Sequence, residues 1–238
     1  MLPRVLVIIP AWNESAVIAN TVREVTACGV DVSVLVVDDG SVDGTPLCAA
    51  QAGAAVLRLP FNLGIGGAVQ AGYRYAKMND YDVAVQIDGD GQHDPAFLAQ
   101  VLEPLVAGRA DMVIGSRFLD GKTGFRSSLM RRIGIRFFSF LIRLLTGVVV
   151  TDPTSGYRAC GRKLIRIFSD YYPQDYPEPE AIVVVRRLHG KVCEVPVVMR
   201  ARTTGRSSIS LLKSFYYMIK VSGAILLHTL KDRKVYQS

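Results

Sequence analysis

The 238-residue sequence predicts an α/β protein with a mostly parallel central sheet and helices on both of its faces. Three observations carry the prediction. Val5–Ile9, Val32–Val37 and Val83–Ile87 are predominantly apolar runs of strand length, as strands covered on both faces require. Segments of helical spacing separate such runs, so strand and helix alternate. Polar motifs follow the strands in series, at Pro10–Glu14, Asp38–Ser41, Asp88–Gln92 and Gly115–Arg117, and in sheets of this kind ligands collect at the carboxyl ends of the strands.

In chain order, Val5–Ile9 is a strand ended by Pro10-Ala11-Trp12-Asn13-Glu14, and Val17, Ile18, Val22 and Val25 give Glu14–Cys28 a helical stripe. Val32–Val37 is the second strand, closed by Asp38-Asp39-Gly40-Ser41 and followed by a helix over Thr45–Ala52. Ala55–Leu59 is the third, and a helix over Ile65–Met78 follows Asn62-Leu63-Gly64. Val83–Ile87 leads into Asp88-Gly89-Asp90-Gly91-Gln92-His93-Asp94, with a helix over Pro95–Val106 and a strand at Met112–Ile114. The pattern then changes. Leu129–Thr146 mixes Arg131, Arg132, Arg136 and Arg143 with Ile133, Phe137, Phe138, Phe140, Leu141, Leu144 and Leu145, the mark of an amphipathic helix with a broad apolar face. Thr151–Arg158 reads as a polar turn and Lys163–Phe168 as a helix. Tyr176-Pro177-Glu178-Pro179-Glu180 is stiffened by its prolines and opens a helix over Ala181–Leu188. Val192–Val198 is a strand, and Ser210–Leu230 an interfacial helix.

The net charge of +7 is unevenly placed. Residues 121–150 hold six Lys/Arg and no acid, and residues 199–238 hold eight against Asp232 alone, so the rest of the chain is net negative. The positive charge coincides with apolar and aromatic residues, which points to an anionic membrane surface. Nucleic acid is the competing partner, but no motif of that class is present. No apolar stretch is long enough to span a bilayer. Four scattered cysteines (Cys28, Cys48, Cys160, Cys193), without a CxxC pair or a signal peptide, read as reduced thiols in a cytoplasmic protein.

The centre of the chemistry is Asp88-Gly89-Asp90-Gly91-Gln92. Asp88 and Asp90 stand one residue apart and, on an extended segment, point the same way. Two carboxylates so close repel unless a cation lies between them. Hard oxygen donors suit Mg²⁺ or Mn²⁺ shared with a substrate diphosphate, and Gln92 adds a neutral oxygen. The plain alternative is a solvated Asp/Gly turn. Gly64-Ile65-Gly66-Gly67 does not follow the first strand, as a dinucleotide fingerprint must. His93 reads as a structural neighbour of the site more readily than as a ligand.

The motifs from Pro10–Glu14 through Val37–Ser41, Asn62–Gly64, Asp88–Pro95 and Gly115–Arg117, in that order, resemble family 2 glycosyltransferases with the GT-A fold. Asp152-Pro153-Thr154-Ser155-Gly156-Tyr157-Arg158 is similar to the dolichyl-phosphate mannose synthase and polyprenyl-phosphate sugar synthase branch. The resemblance implies a catalytic domain over residues 1–205, including an amphipathic membrane-interface helix at 127–147, and a basic amphipathic helix and tail at 206–238. It implies that Pro10, Ala11, Asn13 and Glu14 line a nucleotide pocket and that Asp39, with Asp38, accepts hydrogen bonds from the base. Asp88, Asp90 and Gln92 would hold Mg²⁺ or Mn²⁺, and Arg117 and Arg131 would face phosphate charge. Asp90 and Arg117 would carry the chemistry with Glu178 or Glu180, which replace the Glu-Asp pair where many inverting relatives hold their base.

The expected reaction is inverting transfer of a sugar from a UDP- or GDP-sugar to a polyprenyl phosphate at the cytoplasmic membrane face. Such an acceptor arrives already anionic and needs no base. A hydroxyl of a lipid-linked glycan or surface polysaccharide is the alternative acceptor. A small membrane-protein partner is an alternative anchor, and a non-catalytic nucleotide-sugar-binding subunit is the alternative of another class.

Overall fold

The computed structural model describes residues 3–119 and 129–200, with a further helical stretch at 220–223 and 225–226; of residues 129–131 it describes the backbone alone. Seven strands form one sheet in the order β3-β2-β1-β4-β6-β5-β7. They are β1 (Val5–Ala11), β2 (Ser33–Asp38), β3 (Ala55–Arg58), β4 (Val83–Gln86), β5 (Met112–Ser116), β6 (Arg158–Gly161) and β7 (Val192–Pro196). Only β6 runs against its neighbours, β4 and β5; every other pairing is parallel. The carboxyl ends of β1, β2, β4 and β5 therefore share one edge, and all four polar motifs lie there.

Residues of β1 alternate between two cores. Leu6 and Ile8 join the face covered by α3 (Gly64–Met78), α5 (Leu129–Thr146), α6 (Arg162–Asp170) and α7 (Pro177–Arg187). Val5, Val7 and Ile9 join the face covered by α1 (Ile18–Thr26), α2 (Thr45–Gln51) and α4 (Leu98–Val106). This two-sided burial is the reason the strands are apolar on both faces.

The sequence missed β6. Thr151–Arg158, read as a polar turn, does turn at Pro153–Thr154, but it is mostly buried and feeds this strand. Buried Arg158 survives there because its guanidinium donates to the carbonyls of Ser155 (2.7 Å), Pro153 (2.8 Å) and Glu178. A buried charge met by several carbonyl dipoles is tolerable, where an unmet one is not.

The glycine-rich start of α3 serves packing. A Cβ on Gly66 would lie 2.4 Å from the carbonyl oxygen of Gln174 and 2.5 Å from its Cα. Gly66→Ala must push the 173–174 backbone away, and that segment leads into α7. The expected cost is roughly 1–3 kcal/mol, read as a lower midpoint in urea unfolding; an unchanged midpoint would show that the segment yields freely.

The amphipathic helix at 129–146 is present as α5. It seats Ile135, Phe138 and Ile142 in the core. Its outer side exposes Ile133, Phe137, Phe140 and Leu144, a stripe at helical spacing, beside exposed Arg132, Arg136 and Arg143. Among the described residues, no helix is long and apolar enough to cross a membrane. Of the C-terminal helix expected over 210–230, the described part buries Val221 and Ile225 against the core, and Lys220 lies 3.5 Å from Asp175. The remainder of that helix lies outside the described residues, as do the Arg131 side chain and Arg202 and Arg206, which with Arg200 the sequence leaves between contact with acceptor phosphate and a solvated loop.

Candidate active site

At the carboxyl edge a cavity of about 440 Å³ opens between β1, β2 and α3, lined by Pro10, Ala11, Trp12, Asp39, Asn62, Gly64, Ile65 and Ala68. Pro10, Ala11 and Asp39 all face this cavity. Asp39 also closes the start of α3, its Oδ1 accepting from Leu63 N (2.7 Å) and its Oδ2 from Gly64 N (2.9 Å). Asn13 and Glu14 shape the rim through the chain. Asn13 has a positive φ of 55°, donates its N–H to Ser41 Oγ and accepts from Val42 N, while Glu14 N donates to Thr45 Oγ1. Asp38 lies beneath, fully buried, accepting from Ser41 N with Arg58 at 3.5 Å; it faces the loop and no open space. Asp43 braces the same loop. Burial raises its pKa, but hydrogen bonds from Thr45 and Ser15 outweigh that and bring it to about 2.

Next to this cavity stands the acidic motif. The strand ends at Gln86, and Gly89–Asp90 form a turn. A turn, not the pleat of a strand, therefore relates Asp88 to Asp90. The Asp88 side chain is 38% exposed. Asp90 Oδ1 accepts from Gln92 N at 3.0 Å. Gln92 Nε2 donates to the carbonyl of Arg200 (3.4 Å), so its oxygen is the end left for a ligand. Among the described residues no three His, Cys, Asp or Glu side chains cluster as a metal site would. Two carboxylates and an amide oxygen fit a hard ion that takes its remaining ligands from substrate and water, and do not fit a closed zinc site.

Two residues frame Asp88: Gly156, which the sequence did not assign to the site, and His93, which it read as a structural neighbour. A Cβ on Gly156 would sit 2.8 Å from Asp88 Oδ1, so only glycine leaves room for the carboxylate. His93, buried, accepts the Asp88 N–H at Nδ1 (2.9 Å) and packs on the ring of Tyr157. The signal for Gly156 was its place in the Asp152–Arg158 motif, but nothing local ties that motif to Asp88.

Arg117 departs from expectation. It is 1% exposed, and its guanidinium is engaged twice by Asp152, at 2.6 Å (Nε to Oδ2) and 2.7 Å (Nη2 to Oδ1), and by Thr154. It faces the 152–154 loop and not open space. Glu194 extends the chain of contacts by accepting from Thr151 N, Thr151 Oγ1 and Asp152 N. Burial raises the Glu194 pKa against these three hydrogen bonds. Arg200 is likewise committed, paired with Glu24 and, at 3.0 Å, with Asp94.

Glu178 and Glu180 stand in the first turn of α7. Glu180 is 4% exposed. Burial raises the pKa of Glu178; Arg158 opposes the rise and the charges of Asp88 and Glu180 add to it. Glu178 therefore shares the field of the acidic motif.

The model of the family described as "Glycosyl transferase family 2" matches residues 6–168. The undecaprenyl-phosphate mannosyltransferase of Micrococcus luteus is 33% identical over 215 residues, 87% of this chain and 88% of that protein. The UDP-N-acetylglucosamine–dolichyl-phosphate N-acetylglucosaminyltransferase of Methanococcus voltae is 29% identical over 212 residues, 81% of this chain and 84% of that protein. In fold, the glucosyl-3-phosphoglycerate synthase of Mycobacterium tuberculosis, crystallised with Mn²⁺, UDP-glucose and phosphoglyceric acid, superposes with a TM-score of 0.74 at 21% identity, covering 97% of this chain and 81% of that one. A GT-A sheet with its polar motifs gathered on one edge, the length of the family match and a relative one-third identical over most of both chains lead to one conclusion: this protein belongs to glycosyl transferase family 2.

Proposed function

We propose that the protein transfers a sugar, with inversion, from a UDP- or GDP-sugar to a polyprenyl phosphate at the cytoplasmic face of a membrane. The observation that carries the reading is the juxtaposition of a cavity lined by Trp12 and Asp39 with the Asp88/Asp90/Gln92 turn at one sheet edge. The base and ribose occupy the cavity beside Trp12 and Asp39. Asp88, Asp90 and Gln92 hold Mg²⁺ or Mn²⁺, which when bound neutralises the charge that builds on the leaving diphosphate. Arg131 adds positive charge to the acceptor or donor phosphate. Arg117 acts by holding the 152–154 loop.

The acceptor assignment rests on two supports. The relatives' names specify undecaprenyl and dolichyl phosphates. The outer side of α5 carries an apolar stripe beside three arginines, which suits an anionic bilayer surface. The test is to incubate the protein with Mn²⁺, labelled UDP- and GDP-sugars and polyprenyl phosphate in anionic vesicles. Organic-extractable label that requires the phosphate is the expected result; label found only on glycan hydroxyls assigns the other acceptor.

Glu178 separates the two acceptors independently. A general base must be ionised, so transfer to a hydroxyl falls as pH drops through the raised pKa of Glu178. A lipid phosphate makes no such demand. The expected outcome is that Glu178→Gln retains activity within about tenfold and keeps the acid limb of the pH–rate profile unchanged. A loss of roughly 10²–10⁴-fold points to the hydroxyl acceptor.

A further inference from the structure

We propose that His93 is a positioning residue that sets how Asp88 presents its carboxylate to the cation. The inference rests on the reading of Asp88 as a cation ligand and adds what holds that ligand in place.

The geometry begins with the backbone. Asp88 N–H can only donate, so His93 Nδ1, 2.9 Å away, is the acceptor and the ring carries its proton on Nε2. That second nitrogen is buried, has no hydrogen-bond partner and lies 3.6 Å from Asp88 Oδ2. A buried donor left unmet is costly, and the Asp88 carboxylate lies just beyond hydrogen-bond length. The ring is not free to seek another partner, because it packs on Tyr157 at 5.1 Å between centroids. His93 itself is stitched in place by a bridge to Met199, and the Gln92 carbonyl beside it accepts from Arg200 N at 2.9 Å. On the other side, Gly156 leaves free the space that the carboxylate occupies.

One residue thus reads both the main chain and the side chain of Asp88. A small rotation of the carboxylate closes the 3.6 Å gap, satisfies the orphaned Nε2–H and leaves the other oxygen for the ion. Each event favours the other. A proton donor on one oxygen fixes the orientation of the ligand, and charge shared with a cation removes the repulsion from Asp90. Groups that orient a metal's ligands in this way are worth about 10–100-fold in metal affinity.

The test is Mn²⁺ affinity in the presence of UDP, read from the loss of the free Mn²⁺ signal in electron paramagnetic resonance, with thermal unfolding of each variant alongside. His93→Asn keeps an acceptor for Asp88 N–H and loses the donor at Nε2; it should bind Mn²⁺ at least tenfold more weakly while melting within a few degrees of the parent. His93→Gln returns a donor near the Nε2 position and should recover most of the affinity. In the unmutated protein, adding Mg²⁺ and UDP should move the His93 Nε2–H proton resonance downfield and slow its exchange with water. Wild-type affinity in His93→Asn, no recovery in His93→Gln, or an Nε2–H resonance indifferent to Mg²⁺ and UDP overturns the proposal. Failure of the unmutated protein to bind Mn²⁺ at all is a different outcome and overturns the cation site itself.

Discussion

Asp90→Ala should lose sugar transfer by about a thousandfold or more, equivalent to roughly 4 kcal/mol of transition-state stabilisation, while its melting temperature stays within a few degrees of the parent. Asp90 lies in a turn where its Oδ1 accepts from Gln92 N (3.0 Å). That bond orders the turn locally but bears no part of either core. In the proposed mechanism its larger role is electrostatic. The leaving diphosphate gains charge as the glycosidic bond breaks, and a divalent ion placed to meet that charge supplies several kcal/mol without proton movement. On the proposed reading, losing one of the two carboxylates would weaken the hold on the ion and shift it from its place. Steady-state rates at rising Mn²⁺ concentration check the mechanism. Partial rescue by millimolar Mn²⁺ fits a weakened site; full activity at ordinary concentrations would sink the cation reading.

The largest stability effect should come from the pair Arg117 and Asp152. Both side chains are at most 2% exposed, and they meet through two parallel N–H···O bonds. Deleting one partner strands a charge away from water, which costs about 3–5 kcal/mol. Asp152→Ala should therefore lower the melting temperature by roughly 10 °C, with Arg117→Ala similar. Replacing both by apolar residues of matching volume, as in Arg117→Met with Asp152→Leu, should restore much of the loss, because no unmet charge remains. Double-mutant comparison by chemical unfolding is the measurement. The same series addresses function. If Arg117 acts by fastening the loop, the stabilised double variant keeps measurable transfer. If the double variant regains stability but has no activity, Arg117 touches phosphate directly, as the family resemblance implied.

Much of this architecture was legible beforehand. Apolar runs such as Val5–Ile9 and Val83–Ile87 mark strands because burial on both faces leaves little room for polar side chains, and that demand is local. Stripes such as Val17, Ile18, Val22 and Val25 mark helices for the same reason with a different period. Because the strands that precede the motifs are parallel, their carboxyl ends had to share an edge, so Pro10, Ala11, Asp39, Asp88 and Asp90 could be grouped without coordinates.

Contacts between distant segments were not legible. Arg158-Ala159-Cys160-Gly161 has no β-branched residue and opens on an arginine, yet it is a strand. It becomes one because β4 and β5 both offer it an edge and carbonyls gather around the guanidinium. Arg117 and Asp152 are thirty-five residues apart, and neither carries a mark of its partner. His93 lies close to Asp88 in the chain, but its grip on both ends of that residue depends on a turn whose shape no periodicity encodes. Sequence by itself determined the class of fold, the edge on which the polar motifs gather and the acidic residues that stand there, because these follow from hydrophobic period and local charge. Tertiary structure decided which polar side chains stay open at that edge and which engage each other, because that depends on which distant segment the fold brings beside a buried group.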